Sequence, residues 1–370
     1  MRIRLRRAED NMKIKLLIDS AEFWEHLKND IVAARGSIRL QTLSFEADSV
    51  GKALSDYVQL SNAKEKMIIV DSMFTRFMHN DKFLLWPLNF SDRQLYREAK
   101  ETRRTIRELK KSGVMVKDVN KPGFLFHNVF KRNHKKIITI DGSVSYLGGI
   151  NISKHNFEWH DMMLRIESPD TAMRLERDFM STWNDESISW TEEIDGVMIH
   201  SLNGIDNAGG FLPIFDLIAN AKESIMIESP YLSFPFYKRL GDARRRGVNV
   251  TLITSMQNNW HFFSNYTRRS CKKYDIDLKL LKINMSHLKA MLIDDEILVV
   301  GSSNFDWFSY RFNAEIIAVM RDKELINNFK ERVLSPDIRN SIAYDPLKSK
   351  NFSARMIAGS NGSSVQKDGT

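Results

Sequence analysis

Two copies of one pattern of polar side chains occur in this sequence of 370 residues. In each copy a His is followed by a Lys after two residues, by an Asp after seven and by an Asn after seventeen. The two copies are His134, Lys136, Asp141 and Asn151, and His287, Lys289, Asp294 and Asn304. One such match carries little weight, but two copies at corresponding places of an internal repeat exclude coincidence.

These side chains have the chemistry needed to bind a phosphate group. The lysines and asparagines neutralise and hold nonbridging oxygens, as a metal ion does in other proteins. Each Asn ends a stretch of small residues, GGIN or GSSN, in which backbone N–H groups can approach an anion. We therefore expect the phosphate to contact Asn151, Asn304, Gly149 and Ser302.

The two histidines supply the chemistry needed for transfer of that group. One imidazole acts as a nucleophile on phosphorus while the other protonates the leaving oxygen. The intermediate is a phosphohistidine, which is then attacked by water or an alcohol. This scheme requires neither a metal nor another cofactor, and the single cysteine, Cys271, excludes both an intramolecular disulfide and a cysteine-based metal site.

The two motif aspartates have alternative roles. The segment HKKIITID is predicted to be a strand, so His134 and Lys136 share one face, while the odd offset places Asp141 on the other face. Asp141 and Asp294 also stand where the composition indicates a tight turn. We include both in the candidate catalytic set and leave open a role in the turn and framework.

Two further acids are candidates for orienting the histidines. A nucleophilic imidazole needs the correct tautomer, which is usually set by a carboxylate on its far nitrogen. Asp161 and Glu315 lie beyond the Asn of their copies, and each opens an apolar strand that we expect to run beside the motif strand. The alternative is that both are surface acids at the starts of strands.

The elements that position these residues also repeat. Helical spacing of apolar residues followed by a short apolar strand recurs in both halves, which predicts an α/β fold. We expect two similar halves, each a mixed, mostly parallel sheet flanked by helices, related by a pseudo-two-fold axis with one active site at their interface. The predicted boundaries are residues 1–195 and 196–349, followed by a Gly/Ser-rich tail, residues 350–370, that we expect to be disordered.

The charge of the chain favours an anionic partner. The net charge is +8, from 55 basic and 47 acidic residues, which suits nucleic acid, a phospholipid surface or a phosphorylated substrate. We predict no signal peptide and no membrane span, and expect a cytoplasmic protein that associates peripherally with an anionic membrane surface. Two apolar-aromatic stretches either enter the lipid interface near Arg268 and Arg269 or pack in the core; their aromatic residues are Trp86, Phe90, Trp260, Phe262 and Phe263.

The twin motifs with their trailing G-[GS]-x-N resemble the phospholipase D superfamily. The segments RNHKKIITIDGSVSYLGGINI and SHLKAMLIDDEILVVGSSNFDWFSYRFNAE are similar to the motif regions of bacterial cardiolipin synthases, and the likeness covers residues 16–332. The resemblance implies that His134 is the nucleophile and His287 the general acid, a choice that the near-symmetry of the residues leaves open. This chain departs from the pattern in lacking membrane-spanning helices and in carrying Phe308 where relatives often have Arg.

The resemblance implies a phosphatidyltransferase, which converts phosphatidylglycerol to cardiolipin plus glycerol through a phosphohistidine. A phospholipase D-type hydrolase of phospholipids is the alternative, because the motif chemistry is identical when water is the acceptor. A phosphodiesterase acting on nucleic acid is less favoured, since the basic residues form only short clusters. The intact residues of both motifs argue against a non-catalytic scaffold.

Overall fold

The computed structural model describes residues 13–84, 92–123, 128–259, 261–283 and 285–344. The first half contains a seven-stranded sheet in the order β1-β9-β8-β7-β2-β3-β6, with β4 and β5 as a separate hairpin. The strands are β1 (Lys13–Ile18), β2 (Ser37–Thr42), β3 (Glu65–Asp71), β4 (Met78–His79), β5 (Lys82–Phe83), β6 (Met115–Val119), β7 (Ile137–Ile140), β8 (Val144–Gly148) and β9 (Met162–Glu167). The helices are α1 (Asp19–Ala33), α2 (Ser49–Leu60), α3 (Ser72–Arg76), α4 (Arg93–Lys111), α5 (Lys154–Phe157) and α6 (Pro169–Trp183).

The second half contains a nine-stranded sheet in the order β10-β11-β17-β16-β15-β12-β13-β14-β18. Its strands are β10 (Trp190–Ile194), β11 (Val197–Asn203), β12 (Ser224–Glu228), β13 (Asn249–Ser255), β14 (Asp277–Leu281), β15 (Ala290–Ile293), β16 (Ile297–Gly301), β17 (Ala314–Met320) and β18 (Ser341–Ala343). Its helices are α7 (Asn207–Gly210), α8 (Leu212–Asn220), α9 (Phe236–Arg245), α10 (His261–Tyr274), α11 (Trp307–Arg311), α12 (Lys323–Phe329), a π-helical turn (Lys330–Leu334) and α13 (Ser335–Arg339).

The two sheets share a strand order that supports the predicted repeat. The order β9-β8-β7-β2-β3-β6 of the first sheet corresponds to β17-β16-β15-β12-β13-β14 of the second. An apolar core joins the halves, because Leu147 and Leu164 of the first sheet belong to one buried cluster with Leu298 and Ile316 of the second. The pseudo-two-fold axis itself stays a prediction.

The expectation of mostly parallel sheets is wrong. The parallel pairings are β2–β3 and β3–β6 in the first sheet and β12–β13 and β13–β14 in the second, and the other pairings in both sheets are antiparallel. Helix-connected strands are parallel, but the hairpins that carry the motifs add antiparallel strands beside them.

The boundary between the halves lies earlier than residue 195. That position falls in the turn between β10 and β11, and β10 pairs antiparallel with β11 in the second sheet. The separation therefore falls between the end of α6 at Trp183 and the start of β10 at Trp190. The tail predicted for residues 350–370 lies outside the described residues, and no helix in the described part of the chain is long and apolar enough to cross a membrane.

Candidate active site

The two motif histidines meet because each is attached to the opposite half. The backbone N–H of His134 donates to the carbonyl of Ala314 at 2.9 Å, and the N–H of His287 donates to the carbonyl of His160 at 2.7 Å. Both acceptors stand at or just before the start of a strand of the other half. These reciprocal backbone bonds place one active site at the interface of the two halves.

Each orienting acid acts on the histidine of the other half. The Nδ1 of His134 lies 3.0 Å from Oε2 of Glu315, and the Nδ1 of His287 lies 2.7 Å from Oδ2 of Asp161. A carboxylate only accepts hydrogen bonds, so Nδ1 carries the proton and Nε2 keeps the lone pair that a nucleophile needs. All four side chains are buried.

The expectation that the strands of Asp161 and Glu315 run beside the motif strands is wrong. β9 and β17 pair with β8 and β16, one strand away from the motif strands β7 and β15. The acids therefore point away from the His of their own half and reach across the interface. The alternative that they are surface acids is excluded, because Asp161 is 2% exposed and Glu315 is 0% exposed.

Glu315 is held by two serine hydroxyls as well as by the imidazole. Ser302 donates to Oε2 at 2.5 Å, and Ser309 donates to Oε1 at 2.7 Å. The backbone N–H of Ser302 donates to the carbonyl of Ile316 at 2.9 Å. The predicted phosphate-binding role of Ser302 is therefore wrong, because both of its donors are used to hold Glu315 and the sheet.

Gly149 occupies the corresponding position beside Asp161. A Cβ atom at Gly149 would lie 2.2 Å from Oδ1 of Asp161, so only glycine leaves room for this carboxylate. Its N–H donates to the carbonyl of Met162 at 3.0 Å, which corrects the expectation that this N–H binds phosphate. Gly149 thus serves the orientation of His287 through Asp161.

The motif lysines are buried next to the histidines. Lys136 Nζ donates to the backbone carbonyl of His134 at 2.9 Å, and Lys289 Nζ donates to the carbonyl of His287. Burial lowers the pKa of Lys136 to about 7 and the pKa of Lys289 to about 8, against the attraction of nearby carboxylates. A bound phosphate anion would favour the protonated form of both amines and raise these pKa values again.

Both imidazoles are neutral at pH 7 in the free protein. Burial lowers the pKa of His134, and the nearby lysines lower it further although Glu315 opposes them. Burial and the ammonium of Lys289, which lies 2.6 Å from Nδ1, lower the pKa of His287 to about 4. Since Asp161 accepts the Nδ1 proton, Lys289 acts on this ring through its charge.

The orienting carboxylates remain ionised. Burial would raise the pKa of Asp161, but Lys289 and His287 outweigh that effect and hold it below its ordinary value. The pKa of Glu315 is likewise held low, because His134 and Lys136 outweigh the effect of burial. Two negative and two positive side chains thus surround the imidazoles in a site that is largely withdrawn from water.

The motif asparagines lie on the surface of a cleft of about 310 Å³, together with His134 and His287. Asn151 donates through Nδ2 to Oδ1 of Asn156 at 3.1 Å, which fixes the orientation of its amide. This position places Asn151 and Asn304 beside the reacting nitrogens, where we propose that they hold phosphate oxygens. Asn156 was not anticipated from the sequence, although it follows Asn151 by only five residues.

The structure does not bring Asp141 and Asp294 to this cleft. The Asp141 carboxylate accepts from the N–H groups of Arg35, Gly36 and Ser37 at 2.9, 2.7 and 2.8 Å. Asp294 accepts in the same way from the N–H groups at 222–224, and both aspartates have a positive φ in the hairpin turn. Their inclusion in the catalytic set is corrected: both tie the motif hairpin to the start of the neighbouring strand.

The cleft has an apolar side that the sequence did not reveal. The apolar lining residues are Leu43, Met73, Phe74, Met78, Phe83, Val129, Phe130 and Phe308. Phe308, which stands where relatives often have Arg, packs against Phe130 with ring centroids 5.6 Å apart. These residues come from loops and short elements of both halves, so no single segment of the sequence predicts the apolar side of the cleft.

Further polar residues line the cleft. Arg132 binds Asp71 through Nη1 and Oδ1 at 2.8 Å, and the ring of Trp159 lies 5.0 Å from that of His287. Arg132 stands two residues before His134, and this proximity is the only signal in the sequence for a role at the site. Tyr231 and Asn259 of the second half complete the polar side together with the residue Asp81.

The aromatic stretches proposed for the lipid interface are mostly beyond what the structure describes. Trp86, Phe90 and Trp260 lie outside the described residues, as do the side chains of Phe262 and Phe263. Arg268, expected near lipid head groups, instead donates to the Met256 carbonyl at 3.3 Å and lies over the ring of Tyr344. Its neighbour Arg269 is exposed.

Comparison with known families matches this arrangement. The family model described as cardiolipin synthase, PLD-like domain, matches residues 27–183 and 214–335, which correspond to the two halves. The chain belongs to this family. The phospholipase D resemblance and the organisation in two α/β halves are thereby confirmed, and the protein is an enzyme of the phosphatidyltransferase and phosphodiesterase group.

Curated relatives and solved structures extend the match over most of the chain. Cardiolipin synthase 1 of Staphylococcus epidermidis is 26% identical, with 90% of this chain and 69% of that protein covered. The minor cardiolipin synthase ClsB of Bacillus subtilis is also 26% identical, with 93% and 85% covered. The crystal structure of phosphatidylserine synthase from Haemophilus influenzae shares the fold, with a TM-score of 0.68, 17% identity and coverage of 90% and 87%.

Proposed function

We propose that this phospholipase D-like enzyme is a phosphatidyltransferase of the cardiolipin synthase type. It would move a phosphatidyl group from one phosphatidylglycerol to another, which gives cardiolipin and glycerol. The observation that carries the proposal is the pair of imidazoles, each aligned by a carboxylate of the opposite half, in a cleft with an apolar side. The similarity to cardiolipin synthases over most of the chain supports the same reaction.

In the first step, Nε2 of His134 attacks phosphorus and the bond from phosphorus to the glycerol oxygen breaks. His287 gives its proton to that oxygen, and Lys136 and Lys289 stabilise the charge on the nonbridging oxygens. The family resemblance assigns these two roles to the histidines. Glu315 stabilises the positive charge that His134 acquires, since it stands 3.0 Å from its Nδ1.

His287 must carry a proton before it can act as the acid. Its pKa of about 4 describes the free protein, in which Lys289 repels the imidazolium. A phosphodiester anion in the cleft would attract the imidazolium and raise this pKa. Substrate and proton are therefore expected to bind together.

In the second step, the hydroxyl of the acceptor attacks the phosphohistidine. His287, now neutral, takes the hydroxyl proton, and the bond from phosphorus to His134 breaks. The free enzyme is restored with the protonation state that it had when the donor was bound. Water in place of the alcohol would give phosphatidic acid, which is the hydrolase alternative.

The apolar side of the cleft favours a lipid over a nucleic acid. Nucleic-acid sites combine a basic groove with aromatic stacking platforms, whereas half of the apolar residues on this side are aliphatic, namely Leu43, Met73, Met78 and Val129. Such a surface suits the hydrocarbon of a glycerolipid.

Exposed aromatic residues continue this apolar side to the protein surface. Phe130 is 53% exposed, Phe234 is 41% exposed and Trp307 is 38% exposed. Phe130 packs on Phe312, which contacts Trp307, and Trp307 contacts Phe234, so these rings form one aromatic rim. We propose that this aromatic rim rests on an anionic membrane surface and admits the lipid to the cleft.

The test is product analysis with purified protein and dioleoylphosphatidylglycerol labelled in the glycerol head group. Cardiolipin together with free labelled glycerol is the expected result. Phosphatidic acid as the main product would replace the proposal by the hydrolase. Inertness on the lipid, together with cleavage of DNA, would overturn both.

A further inference from the structure

The polar side of the cleft contains a hydrogen-bonded chain that the transfer chemistry does not use. The Tyr231 hydroxyl donates to Oδ1 of Asn259 at 2.6 Å. The Nδ2 group of Asn259 donates to Oδ2 of Asp81 at 3.2 Å. All three residues line the cleft, and the chain joins the second half to the first across it.

Asp81 is held in the cleft by a tight turn. Asn80 and Asp81 form the two-residue turn between β4 and β5, and both have positive φ angles, 48° and 57°. Asn80 is fixed on two sides, since its N–H donates to Glu46 at 3.0 Å and its amide donates to Glu98 at 2.9 Å. Asn and Asp are the non-glycine residues that adopt left-handed backbone most readily, so this turn and the two hydrogen bonds of Asn80 fix the position of the Asp81 carboxylate.

The charges around Asp81 decide which ligand group it suits. Oδ2 of Asp81 lies 3.8 Å from Nε2 of His155, and Oε2 of Glu46 lies 3.6 Å from Nδ1 of the same ring. Burial disfavours the charged imidazole, but the carboxylates of Asp81 and Glu46 raise the pKa of His155 above its ordinary value. Burial would raise the pKa of Asp81 itself, but the interactions with His155 and Asn259 outweigh burial and hold it below its ordinary value, so its carboxylate stays an ionised hydrogen-bond acceptor.

The remaining chemistry suits neutral hydroxyl groups. A carboxylate, a primary amide and a phenolic hydroxyl together offer both acceptors and donors, which is what alcohol O–H groups require. A second anion would be repelled by Asp81, so the phosphate belongs with the lysines and the alcohol with this chain. No metal or cofactor is needed for such binding.

The position of the chain relates it to one particular part of the substrate. The ring of Trp159 lies 5.4 Å from that of His155 and 5.0 Å from that of His287, so it joins the two imidazoles. The group next to the general acid is the alcohol that leaves, and by microscopic reversibility the alcohol that enters binds in the same place. His287 and its neighbours therefore face the alcohol portion of donor and acceptor.

We propose that Asp81, Asn259 and Tyr231 form a subsite for the free hydroxyl groups of a polyhydroxy alcohol. In the donor this is the glycerol head group, and in the acceptor it is the glycerol portion that carries the attacking hydroxyl. The inference rests on the proposed function, because it concerns the alcohol of that transfer. It adds that the enzyme selects polyols over monohydric alcohols.

The experiment is a competition between soluble acceptors with the full chain and dioleoylphosphatidylglycerol in mixed micelles. Labelled glycerol and 1-propanol are supplied in turn against an unlabelled competitor, and labelled phospholipid is counted. Wild-type protein should prefer glycerol. Asn259→Leu and Asp81→Asn should each lower the ratio of glycerol to 1-propanol transfer about ten-fold, the loss expected for one hydrogen bond of about 1.4 kcal/mol.

The change should appear in the product ratio, which reports how one phosphohistidine partitions between the two alcohols. The overall rate is expected to fall with both alcohols, because the donor head group uses the same subsite. Asn327→Leu, the same substitution at an exposed position of α12, is the control, and thermal unfolding checks that each variant folds. An unchanged acceptor ratio in both variants would overturn the subsite while leaving the proposed function intact. An equal shift of the ratio in Asn327→Leu would also overturn it, whereas wild-type protein that transfers to no alcohol would overturn the proposed function.

Discussion

Glu315→Gln provides the most direct test of the pairing across the halves. The side chain is fully buried and its carboxylate accepts from His134 at 3.0 Å, from Ser302 at 2.5 Å and from Ser309 at 2.7 Å. Glutamine is nearly isosteric but has one acceptor oxygen, and its NH2 group must face either the imidazole or a serine. If it faces His134, it donates to Nδ1 and moves the ring proton to Nε2, the nitrogen that should attack.

The expected loss is large because two effects combine. The substitution removes the charge that stabilises the developing imidazolium, and it favours the wrong tautomer. Replacing the carboxylate of a catalytic triad by an amide costs about 10⁴-fold in kcat, so we expect a decrease of about 10³- to 10⁴-fold in the rate of phosphohistidine formation. Rapid-quench trapping of the labelled covalent intermediate measures this rate, and the exposed Glu324→Gln serves as the control.

The chemical shifts of the ring nitrogens report the imidazole tautomer, which a general loss of structure would not change at one histidine alone. In ¹H–¹⁵N spectra of the histidine side chains, Glu315→Gln should shift the ring nitrogens of His134 and leave those of His287 unchanged. Asp161→Asn should do the reverse, since Asp161 lies 2.7 Å from His287. If Asp161→Asn instead changed His134, each acid would serve its own half and the pairing described above would be refuted.

Four further predictions follow from the same geometry. Between pH 7 and 10 the unfolding free energy of the wild type should rise with pH, because a Lys136 pKa of about 7 leaves the folded state with fewer protons than the unfolded state. Lys136→Met should reduce this slope by up to about 1.4 kcal/mol per pH unit, as measured by urea unfolding. Asp141→Asn should cost about 1–3 kcal/mol of stability by loss of backbone bonds, yet leave the kcat of folded protein within a few-fold; a loss like that of a motif histidine would refute the framework role. Gly149→Ala should abolish transfer because its Cβ displaces a carboxylate oxygen 2.2 Å away, whereas Gly209→Ala, whose Cβ meets no atom within 3.4 Å, should be active in the same assay. Trp307→Ser should weaken binding to phosphatidylglycerol vesicles about ten-fold, measured by co-sedimentation, without affecting turnover of a short-chain soluble substrate. Unchanged vesicle binding would show that the aromatic rim does not contact the membrane.

The meeting of His134, His287 and the two motif lysines was predictable from the sequence because each copy of the motif is local and the motif occurs twice. The spacing of His and Lys needs only the two-residue period of extended backbone, and the repeat shows that both copies belong together. Asp161 and Glu315 could be found for the same reason, since each follows its motif at a similar distance. The partner that each acid serves could not be found, because it depends on which strands are neighbours in the sheet.

The residues that the sequence did not reveal lie where the chain does not repeat. Asp81 stands in the β4–β5 hairpin between α3 and α4, which has no counterpart among the described elements of the second half. It contacts Asn259 only after the two halves have come together. The apolar side of the cleft likewise combines single residues of separate loops, such as Val129 and Phe308. Such a surface has no period and no motif, so only the assembled fold shows it.

The differences between the halves fit the two roles that we propose for the repeated motif. Asp161 is one methylene shorter than Glu315, and its carboxylate lies against Gly149, where any Cβ would collide with it. Glu315 reaches further and accepts a hydrogen bond from the hydroxyl of Ser302, which occupies the position corresponding to Gly149. The shorter acid shares its imidazole with Lys289, whose Nζ lies 3.6 Å from the carboxylate and 2.6 Å from the ring nitrogen.

This arrangement makes the two imidazoles chemically unequal before any substrate binds. Burial and the ammonium beside His287 hold its pKa at about 4, so in the proposed mechanism the proton for the leaving alcohol arrives with the phosphate anion. His134 has no motif lysine amine in contact with its ring among the described side chains, since Lys136 donates to its backbone carbonyl instead. A neutral imidazole that is stabilised as a cation by Glu315 suits the nucleophile, and one whose proton depends on the substrate suits an acid that acts only when the cleft is filled.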